Sequence, residues 1–221
     1  MAERRLLDAT RLFAVLPEEV REGLRGQMEL RNYDRGALLF RQGDPATELF
    51  VVVDGRIAIA TQAGDGREAM VAVLEQGGLF GELALFDDAP RSADGRALTD
   101  STVAALGYES VREALRARPE LLWVMVRLLA ERLRATDETL ADAVFLDVPA
   151  RTAKRLLELA GDQDAFTIPM TQEELASMIG ASRERVNKAL ALFARLGWLE
   201  TEGRGRYKIL DRQALEDRAT L

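Results

Sequence analysis

The sequence predicts an α+β fold in which an N-terminal β-roll of the jelly-roll type is followed by a long helix and a C-terminal winged helix-turn-helix. Residues 30–107 contain short apolar or alternating runs separated by turn residues, a pattern typical of a β-sandwich or roll. Residues 109–145 are predicted to form one long helix, whose heptad repeat runs from Leu122 to Ala143. Residues 171–195 have the pattern of two capped helices joined at a glycine. The predicted domains are residues 1–108, 109–146 and 147–221.

The strands of the roll are predicted from apolar runs of strand length. These runs are Leu38–Phe40, Leu49–Val53, Arg56–Ala60, Ala69–Leu74 and Thr102–Leu106. Asp54-Gly55, Gly64–Gly66 and Gly77-Gly78 separate them and provide turn positions with positive φ. Two short helices are predicted before the roll, one over Leu7–Phe13 and one that begins at Pro17, since proline suits the first turn of a helix.

The composition excludes several kinds of site. The chain has 221 residues, no cysteine and no histidine, so disulfides, iron–sulfur clusters, thiolate zinc sites and histidine-ligated haem are excluded. No metal is expected, no catalytic residue stands out, and nothing favours an enzyme. The apolar runs are too short to span a bilayer and no secretion signal is evident, so we expect a cytoplasmic protein without a membrane partner.

The charge is unevenly distributed along the chain. Residues 1–150 hold 18 basic and 26 acidic side chains, whereas residues 151–221 hold 12 basic and 11 acidic ones. The acidic excess therefore lies in the first two thirds of the chain. The overall net charge of −7 does not exclude a nucleic-acid partner for the last third, because the local arrangement of Lys and Arg governs binding.

A heptad repeat marks the long helix. Its apolar positions recur at alternating steps of four and three residues, interrupted by one polar residue: Leu122, Val126, Leu129, Leu133, Thr136, Leu140 and Ala143. This 3.5-residue period predicts a homodimer formed through the helix. The alternative is a helix that packs on its own domain. Asp147-Val148-Pro149 is predicted to end the helix and to act as a hinge, because the residue before proline avoids helical geometry.

The helix-turn-helix is predicted from its capping residues. Thr171 and Glu174 form a capping box, and Gly180 ends the first helix. Ser182 caps a second helix that runs to about Leu196, with Val186, Ala189, Leu190 and Phe193 on one face. Two strands, Trp198–Thr201 and Arg206–Ile209, follow as a wing with basic residues at its tip, including Arg204. The compact helical domain is expected to end in this strand pair.

The polar face of the second helix suits the major groove of double-stranded DNA. Arg183 and Lys188 have the donors that bind guanine O6 and N7, and Glu184 has the acceptor that binds cytosine N4. The remaining candidates are assigned to backbone phosphates: Thr171, Ser182 and Arg185. The alternative is a pair of surface helices with ordinary exposed charges.

A second dense segment lies at Leu79–Ala93. Gly81 precedes a short helical turn, and Arg91-Ser92 follows a proline. Amides at the start of the turn, one arginine and one hydroxyl make this an anion cradle. The alternative is a surface loop with a solvated arginine.

Over almost its whole length the chain resembles the cyclic-AMP receptor protein/FNR family of transcription regulators. The resemblance is carried by Gly81-Glu82-Leu83 with Arg91-Ser92, by Phe145–Pro149 at the end of the long helix, and by Gly180–Val186. It implies that cyclic AMP is the effector, that double-stranded DNA and RNA polymerase are partners, and that the target is a palindrome resembling TGTGA-N6-TCACA.

The resemblance also assigns roles in the effector site. Arg91 and Ser92 would hold the cyclic phosphate, Glu82 the ribose 2′-hydroxyl, and Thr136 the adenine. Arg132, one turn earlier on the long helix, would pair with Glu82. The candidate effector site comprises Gly81, Glu82, Leu83, Arg91, Ser92, Arg132, Thr136 and Asp137.

The sequence departs from the family pattern at three places. Lys188 replaces the usual arginine and lacks its planar fork, which predicts weaker discrimination at that base. Asp137 replaces a small polar residue that reaches the partner subunit's adenine; a carboxylate accepts from an adenine amino group and repels a guanine carbonyl. The loop Gly161–Ala165 is shorter than in the enterobacterial protein, which argues against the RNA polymerase contact made there.

Missing residue types separate this chain from two branches of the family. The oxygen-sensing branch needs cysteines for its cluster, and the carbon monoxide-sensing branch needs haem ligands that typically include histidine. A cyclic nucleotide, another small effector, or no effector remains. Two further hypotheses stay open: an effector-independent regulator that binds promoters constitutively, and a cyclic nucleotide-binding module without DNA recognition.

Overall fold

The structure is a computed structural model that describes residues 17–62, 64, 68–168, 170–203 and 205–220. It divides into two units, the first ending at Glu131 and the second beginning at Arg132. The predicted helix Leu7–Phe13, part of the predicted turn at residues 65 and 66, and Arg204 of the wing tip lie outside the described residues. Within the described ranges no helix is both long and apolar enough to cross a membrane.

The first described element is helix α1, Glu18–Gln27, which begins one residue after the predicted start because Pro17, with ψ 147°, is its non-helical N-cap. Its first turn holds Glu18 and Glu19 and its last turn holds Arg25, the arrangement that the helix dipole favours. Leu24 is buried in the core beneath it.

A β-roll of two four-stranded sheets follows, as predicted. Its strands are β1 Glu29–Tyr33, β2 Leu38–Phe40, β3 Glu48–Asp54, β4 Ile57–Gln62, β5 Glu68–Leu74, β6 Leu79–Phe80, β7 Asp94–Ala97 and β8 Ser101–Gly107. The strand orders are β1-β8-β3-β6 and β2-β7-β4-β5, and every pair is antiparallel. The five predicted strands are confirmed, and β1, β6 and β7 are additional.

The apolar run of strand β3 is continuous because both faces of the strand are buried. Alternate side chains of a strand point to opposite faces. Val51 lies in a core cluster with Leu24 and Tyr108, whereas Phe50 and Val52 lie in a second cluster inside the roll. Both faces of β3 are therefore buried, and neither tolerates polar side chains.

No other residue can replace Gly55 at the turn between β3 and β4. Its φ is +84°, and a Cβ there would lie 2.3 Å from Ser101 Oγ. This confirms the predicted positive-φ turn, since only glycine tolerates both the conformation and the close approach.

The predicted single helix over residues 109–145 is wrong. The chain forms α3, Tyr108–Ala117, then a 3₁₀ turn, Pro119–Leu121, and then α4, Leu122–Phe145. Arg118 has φ −138° and ψ 80°, outside helical geometry. The physical reason is Pro119, which has no amide donor and excludes helical geometry from the residue before it.

The second unit contains a three-stranded sheet and four further helices after α4. These elements are α5 Val148–Ala160, β9 Ala165–Thr167, α6 Gln172–Ile179, α7 Arg183–Arg195, β10 Leu199–Gly203, β11 Arg206–Ile209 and α8 Arg212–Ala219. The strand order is β10-β11-β9. The prediction that this domain ends in a strand pair is wrong, because α8 follows the sheet and is capped by Asp211, which accepts from the Ala214 amide at 3.0 Å. Strand β9 was also not predicted.

The break after α4 is confirmed, with a shift of detail. Helix α4 ends at Phe145, and Asp147 is the N-cap of α5, accepting from the Ala150 amide at 2.8 Å. Pro149 therefore lies in the first turn of α5, where its missing amide costs nothing. Leu146 and Asp147 are the interruption. The expectation that Val148 avoids helical geometry because it precedes Pro149 is wrong, since Val148 is the first residue of α5.

Candidate functional sites

Arg91 lies inside the first unit, where it is held by main-chain carbonyls. Its side chain is only 7% exposed. Nη1 donates to the Gly81 carbonyl at 2.9 Å, and Nη2 donates to the Glu48 carbonyl at 2.8 Å. The guanidinium also lies 4.3 Å from the centre of the Phe40 ring, a favourable cation–π distance. A buried guanidinium is thus positioned by the ends of two strands.

Tyr108 completes this arrangement and was missed from the sequence. Arg91 Nη1 donates to the Tyr108 hydroxyl at 3.2 Å, and that hydroxyl donates to the Gly81 carbonyl. Burial raises the pKa of Tyr108 above its ordinary value, and the charge of Arg91 offsets this only in part. Tyr108 therefore stays neutral and keeps its proton for Gly81. No local motif marks this tyrosine, because Gly81 and Arg91 are distant in sequence.

Gly81 and Glu82 adjoin Arg91. Gly81 has φ +73°, and a Cβ there would lie 2.6 Å from Arg91 Nη1, so a glycine is required. Glu82 is 1% exposed and precedes the short helix α2, Leu83–Asp87. The structure thus places Gly81, Glu82 and Arg91 in one buried region, whereas Leu83 and Ser92 are exposed.

Arg91 retains an unused donor that suits an anion. Nε is buried and has no hydrogen-bond partner among the residues that the structure describes. A buried donor without a partner is unfavourable, and a phosphate oxygen would satisfy it with a charge-assisted hydrogen bond. The residues present therefore fit the phosphate of a cyclic nucleotide.

The other predicted effector residues lie on α4 in the second unit. Thr136 and Asp137 are exposed, and Thr136 Oγ1 donates to the Arg132 carbonyl at 2.9 Å. Thr136 thus donates a hydrogen bond to a carbonyl of its own helix. Because the residue is exposed, its hydroxyl oxygen can still accept a hydrogen bond from a ligand. The predicted pairing of Arg132 with Glu82 stays a prediction.

The heptad positions of α4 are largely exposed in the single chain. Leu133 and Leu140 are 62% and 63% exposed, and Leu122 and Val126 are also exposed. A row of large exposed apolar side chains is unfavourable in water and marks an interaction surface.

The helix-turn-helix has the predicted caps. Thr171 Oγ1 accepts from the Glu174 amide at 3.2 Å, and Glu174 Oε2 accepts from the Thr171 amide at 2.6 Å. Gly180 ends α6 with φ +68°. Ser182 Oγ accepts from the Arg185 amide at 3.4 Å, which starts α7. Both N-cap hydroxyls therefore accept hydrogen bonds from the backbone amides three residues later, as the sequence indicates.

Helix α7 has one buried and one exposed face. Its buried residues are those predicted: Val186, Ala189, Leu190 and Phe193. Arg183, Glu184, Arg185 and Lys188 are exposed. The ring of Phe193 stacks on Trp198 with 5.7 Å between centroids, which anchors the end of α7 to the start of the wing. The predicted reading face is therefore accessible.

Two of the predicted base readers bind each other in the free chain. Lys188 Nζ lies 2.6 Å from Glu184 Oε1, one helical turn away. The hydrogen bond from Lys188 and its positive charge lower the pKa of Glu184 below its ordinary value. Glu184 is therefore ionised and ready to accept a hydrogen bond.

The wing hairpin is confirmed, with an additional partner. Strands β10 and β11 pair antiparallel with an irregularity between Thr201 and Gly203, and β9 pairs with the other edge of β11. Arg206 and Lys208 on β11 are exposed. Basic side chains on a wing beside a helix-turn-helix are suited to phosphates.

Arg151 in α5 was missed by sequence reasoning. Its Nη1 donates to the Ala143 carbonyl at 3.2 Å, and its Nη2 lies 3.4 Å from the Gly180 carbonyl. It thus satisfies a carbonyl near the end of α4 and one at the turn between α6 and α7. The sequence offers no signal for this, because Arg151 and its two partners lie in three different parts of the fold.

Comparison with known proteins identifies a domain in each part of the chain. Residues 30–118 match the cyclic nucleotide-binding domain, and residues 150–218 match the Crp-like helix-turn-helix domain. A CRP-like cAMP-activated global transcriptional regulator of Mycobacterium tuberculosis is 39% identical over 200 residues, covering 87% of this chain and 89% of that protein. The cAMP-activated global transcriptional regulator CRP of Salmonella typhimurium is 32% identical over 182 residues, covering 79% and 87%.

The fold also has a solved counterpart. The c-di-GMP responsive global regulator CLP of Xanthomonas campestris superposes with a TM-score of 0.78 at 25% identity, covering 87% of this chain and 99% of that one. All three are transcription regulators rather than enzymes. Together with the two matched domains, these relatives show that the chain belongs to the cyclic-AMP receptor protein/FNR family of DNA-binding transcription regulators.

Proposed function

We propose that the chain is a homodimeric transcription regulator that cyclic AMP switches into its DNA-binding state. The observation that carries the proposal is the buried guanidinium of Arg91, which the carbonyls of Gly81 and Glu48 hold in place. Its Nε has no hydrogen-bond partner among the described residues. Both bacterial relatives are named as cAMP-activated, which supports this choice of effector.

The chemistry of the first unit supports a cyclic phosphate as the anchoring group. The phosphate would receive hydrogen bonds from Arg91, and its negative charge would compensate the buried positive one. Glu82 would accept from the ribose 2′-hydroxyl. The proposed adenine contacts come from Thr136 and Asp137, whose carboxylate favours an amino group over a carbonyl.

The exposed heptad row of α4 supports the homodimer. Two copies of this row would bury Leu133 and Leu140 against each other, with Thr136 as the one polar position between them. Nucleotide bound near Thr136 of each copy would shift an existing equilibrium toward a state with both α7 helices about one DNA turn apart.

The exposed face of α7 supports sequence-specific binding. Arg183 and Lys188 would read guanines and Glu184 a cytosine, on a palindrome resembling TGTGA-N6-TCACA. RNA polymerase is the proposed partner, since it acts at the promoters that a transcription regulator binds. The cytoplasm is the proposed location, since it holds the bacterial chromosome.

Calorimetric titration with cyclic AMP, cyclic GMP and cyclic di-GMP tests the effector. We expect heat with cyclic AMP, loss of that heat in Arg91→Ala, and retention in Arg35→Ala, a control at an exposed arginine of the same unit. No heat at about millimolar cyclic AMP, where even weak binding of about 4 kcal/mol is detected, would overturn the assignment.

Gel shifts with and without nucleotide distinguish the remaining hypotheses. Nucleotide-dependent binding of the palindrome is the expected outcome. Equal binding in both conditions would favour an effector-independent regulator. Nucleotide binding without any specific shift would favour a binding module that lacks DNA recognition.

A further inference from the structure

We propose that Asn187 is an additional base-reading residue of α7 and that it selects an adenine in the major groove. The proposal rests on the DNA-reading role of α7 and adds a specificity position that neither the capping pattern nor the charged face of this helix identifies. Three observations on the helix carry it: the position of Asn187, its burial, and the chemistry of its amide.

Around the axis of α7, Asn187 lies between the exposed residues Arg183 and Glu184. At about 100° per residue, it is about 40° around the helix axis from Arg183 and about 100° from Lys188. The buried residues Val186 and Leu190 lie on the side of Asn187 away from Lys188. Asn187 itself is half-buried. Asn187 therefore shares a face of the helix with the predicted base readers.

The carboxamide oxygen of Asn187 is not satisfied by any of the residues that the structure describes. This atom, Oδ1, is buried. A buried acceptor without a partner is destabilising, and asparagine is also a poor residue for the interior of a helix. Two unfavourable features coincide on a helix that is otherwise well capped and well packed. Such local conflicts are expected where a residue serves binding rather than folding.

The chemistry of the amide specifies the base. A carboxamide offers one acceptor beside one pair of donors. Among the major-groove edges, adenine alone presents a donor, the N6 amino group, beside an acceptor, N7. Guanine presents two acceptors, cytosine one donor, and thymine one acceptor beside a methyl group. Asn187 is therefore complementary to adenine at one base pair of each half-site.

The test is a thermodynamic cycle on DNA selected by the full-length protein from random sequences, with cyclic AMP present. Each adenine of the selected half-site is replaced in turn by 7-deazaadenine, which lacks the N7 acceptor. At one position the wild-type protein should lose about 2- to 13-fold in affinity, the net value of one hydrogen bond. Asn187→Ala should bind the normal DNA about 5- to 150-fold more weakly and should be insensitive to the same replacement.

Two further variants exclude a merely structural effect. Asn187→Gln keeps a carboxamide and should retain a preference for adenine at that position, whereas Asn187→Ala should lose it. Gln213→Ala, which removes an amide on α8 that binds Asp217, is the control and should leave selectivity unchanged. The midpoint of thermal unfolding of Asn187→Ala should equal or exceed that of wild type, because alanine favours the helix and leaves no buried acceptor unpaired.

The outcomes separate this proposal from the one it rests on. If the wild-type protein selects no sequence, sequence-specific DNA recognition itself fails. If it selects a sequence but Asn187→Ala remains equally sensitive to 7-deazaadenine at every position, the role of Asn187 is overturned alone. A lower melting midpoint with unchanged selectivity would make Asn187 a packing residue and would likewise overturn the proposal.

Discussion

Lys188 Nζ and Glu184 Oε1 lie 2.6 Å apart on the exposed face of α7, so two predicted base readers neutralise each other before DNA arrives. Both side chains are 75% exposed, and an ion pair so well solvated is weak. It is therefore easily exchanged for contacts to bases. In the free chain the pair offsets the positive charge of Lys188 on the exposed face of α7.

Lys188→Arg should sharpen the reading of guanine. Arginine presents a planar fork that matches O6 and N7 together, whereas the lysine ammonium is a single point of charge. Discrimination between guanine and the other bases at that position should rise by about fivefold or more, as measured by competition gel shifts on single-base variants. Lys208→Arg on the wing is the matched control and should alter affinity without altering selectivity. Unchanged discrimination in Lys188→Arg would contradict the assignment of Lys188 as a base reader.

Gly81→Ala should damage the effector site through Arg91. The added Cβ would lie 2.6 Å from Arg91 Nη1, and the φ of +73° is itself unfavourable for alanine by about 1–2 kcal/mol. We expect a lower thermal midpoint and at least about tenfold weaker binding of cyclic AMP by calorimetry, which corresponds to about 1.4 kcal/mol.

Gly26→Ala is the control for that variant. A Cβ at Gly26 in α1 would have no neighbour within 4 Å, and alanine stabilises a helix by up to about 1 kcal/mol relative to glycine. It should keep nucleotide affinity and keep or raise the midpoint. Equal behaviour of Gly81→Ala and Gly26→Ala would disprove the close approach of Gly81 to Arg91.

Asp147→Ala should destabilise the second unit in a pH-dependent way. Burial opposes ionisation of Asp147, but hydrogen bonds from the Ala150 amide and Arg218, together with the charges of Arg218 and Arg151, outweigh it and lower its pKa. Because the folded pKa lies below the unfolded one, the stabilisation is complete above the unfolded pKa and is lost as pH falls through the folded pKa.

Urea unfolding of the wild type and of Asp147→Ala at several pH values measures this contribution to the free energy of unfolding. The variant should lose about 0.5–2 kcal/mol near neutral pH, as for other N-cap removals, and the difference from wild type should shrink in acid. Asp162→Ala, in the exposed loop after α5, should be neutral throughout. A difference that grows as pH falls would have the wrong sign and would refute the role of the ionised carboxylate.

Leu133→Glu should convert the dimer into monomers without unfolding the chain. Leu133 is 62% exposed in the single chain, so a charge there is tolerated in the monomer but is unfavourable between two apolar helices. Light scattering should report half the mass, with an unchanged circular dichroism spectrum. Ala141→Glu, exposed on α4 but outside the heptad row, should stay dimeric. A dimeric Leu133→Glu would place the interface elsewhere.

The features that depend on short-range interactions are the ones that the sequence predicted correctly. The cap at Thr171, the glycine turn at Gly180 and the cap at Ser182 depend on partners within a few residues, so their chemistry is visible in the sequence. The missed break at Pro119 was also local. Pro119 stands three residues before the heptad repeat begins at Leu122, and a proline ends a helix whatever periodicity follows it.

The residues missed from the sequence share a different feature. Tyr108 and Arg151 act through carbonyls on other elements, and the third strand β9 is a three-residue segment whose partner β11 follows about forty residues later. None of these pairings has a local signature, since strand pairing and helix packing bring the partners together.

Local chemistry thus specified where α6 and α7 begin and end, which face of α7 is buried, and which residue types could read DNA or hold a phosphate. Periodicity specified the apolar row of α4. The folded structure alone established that Arg91 is fixed by the carbonyls of Gly81 and Glu48, the latter 43 residues away, and that Asn187 carries an unsatisfied acceptor among the described residues. Caps and periodic faces arise from neighbours along one helix, whereas the surroundings of a buried polar atom depend on every element packed around it.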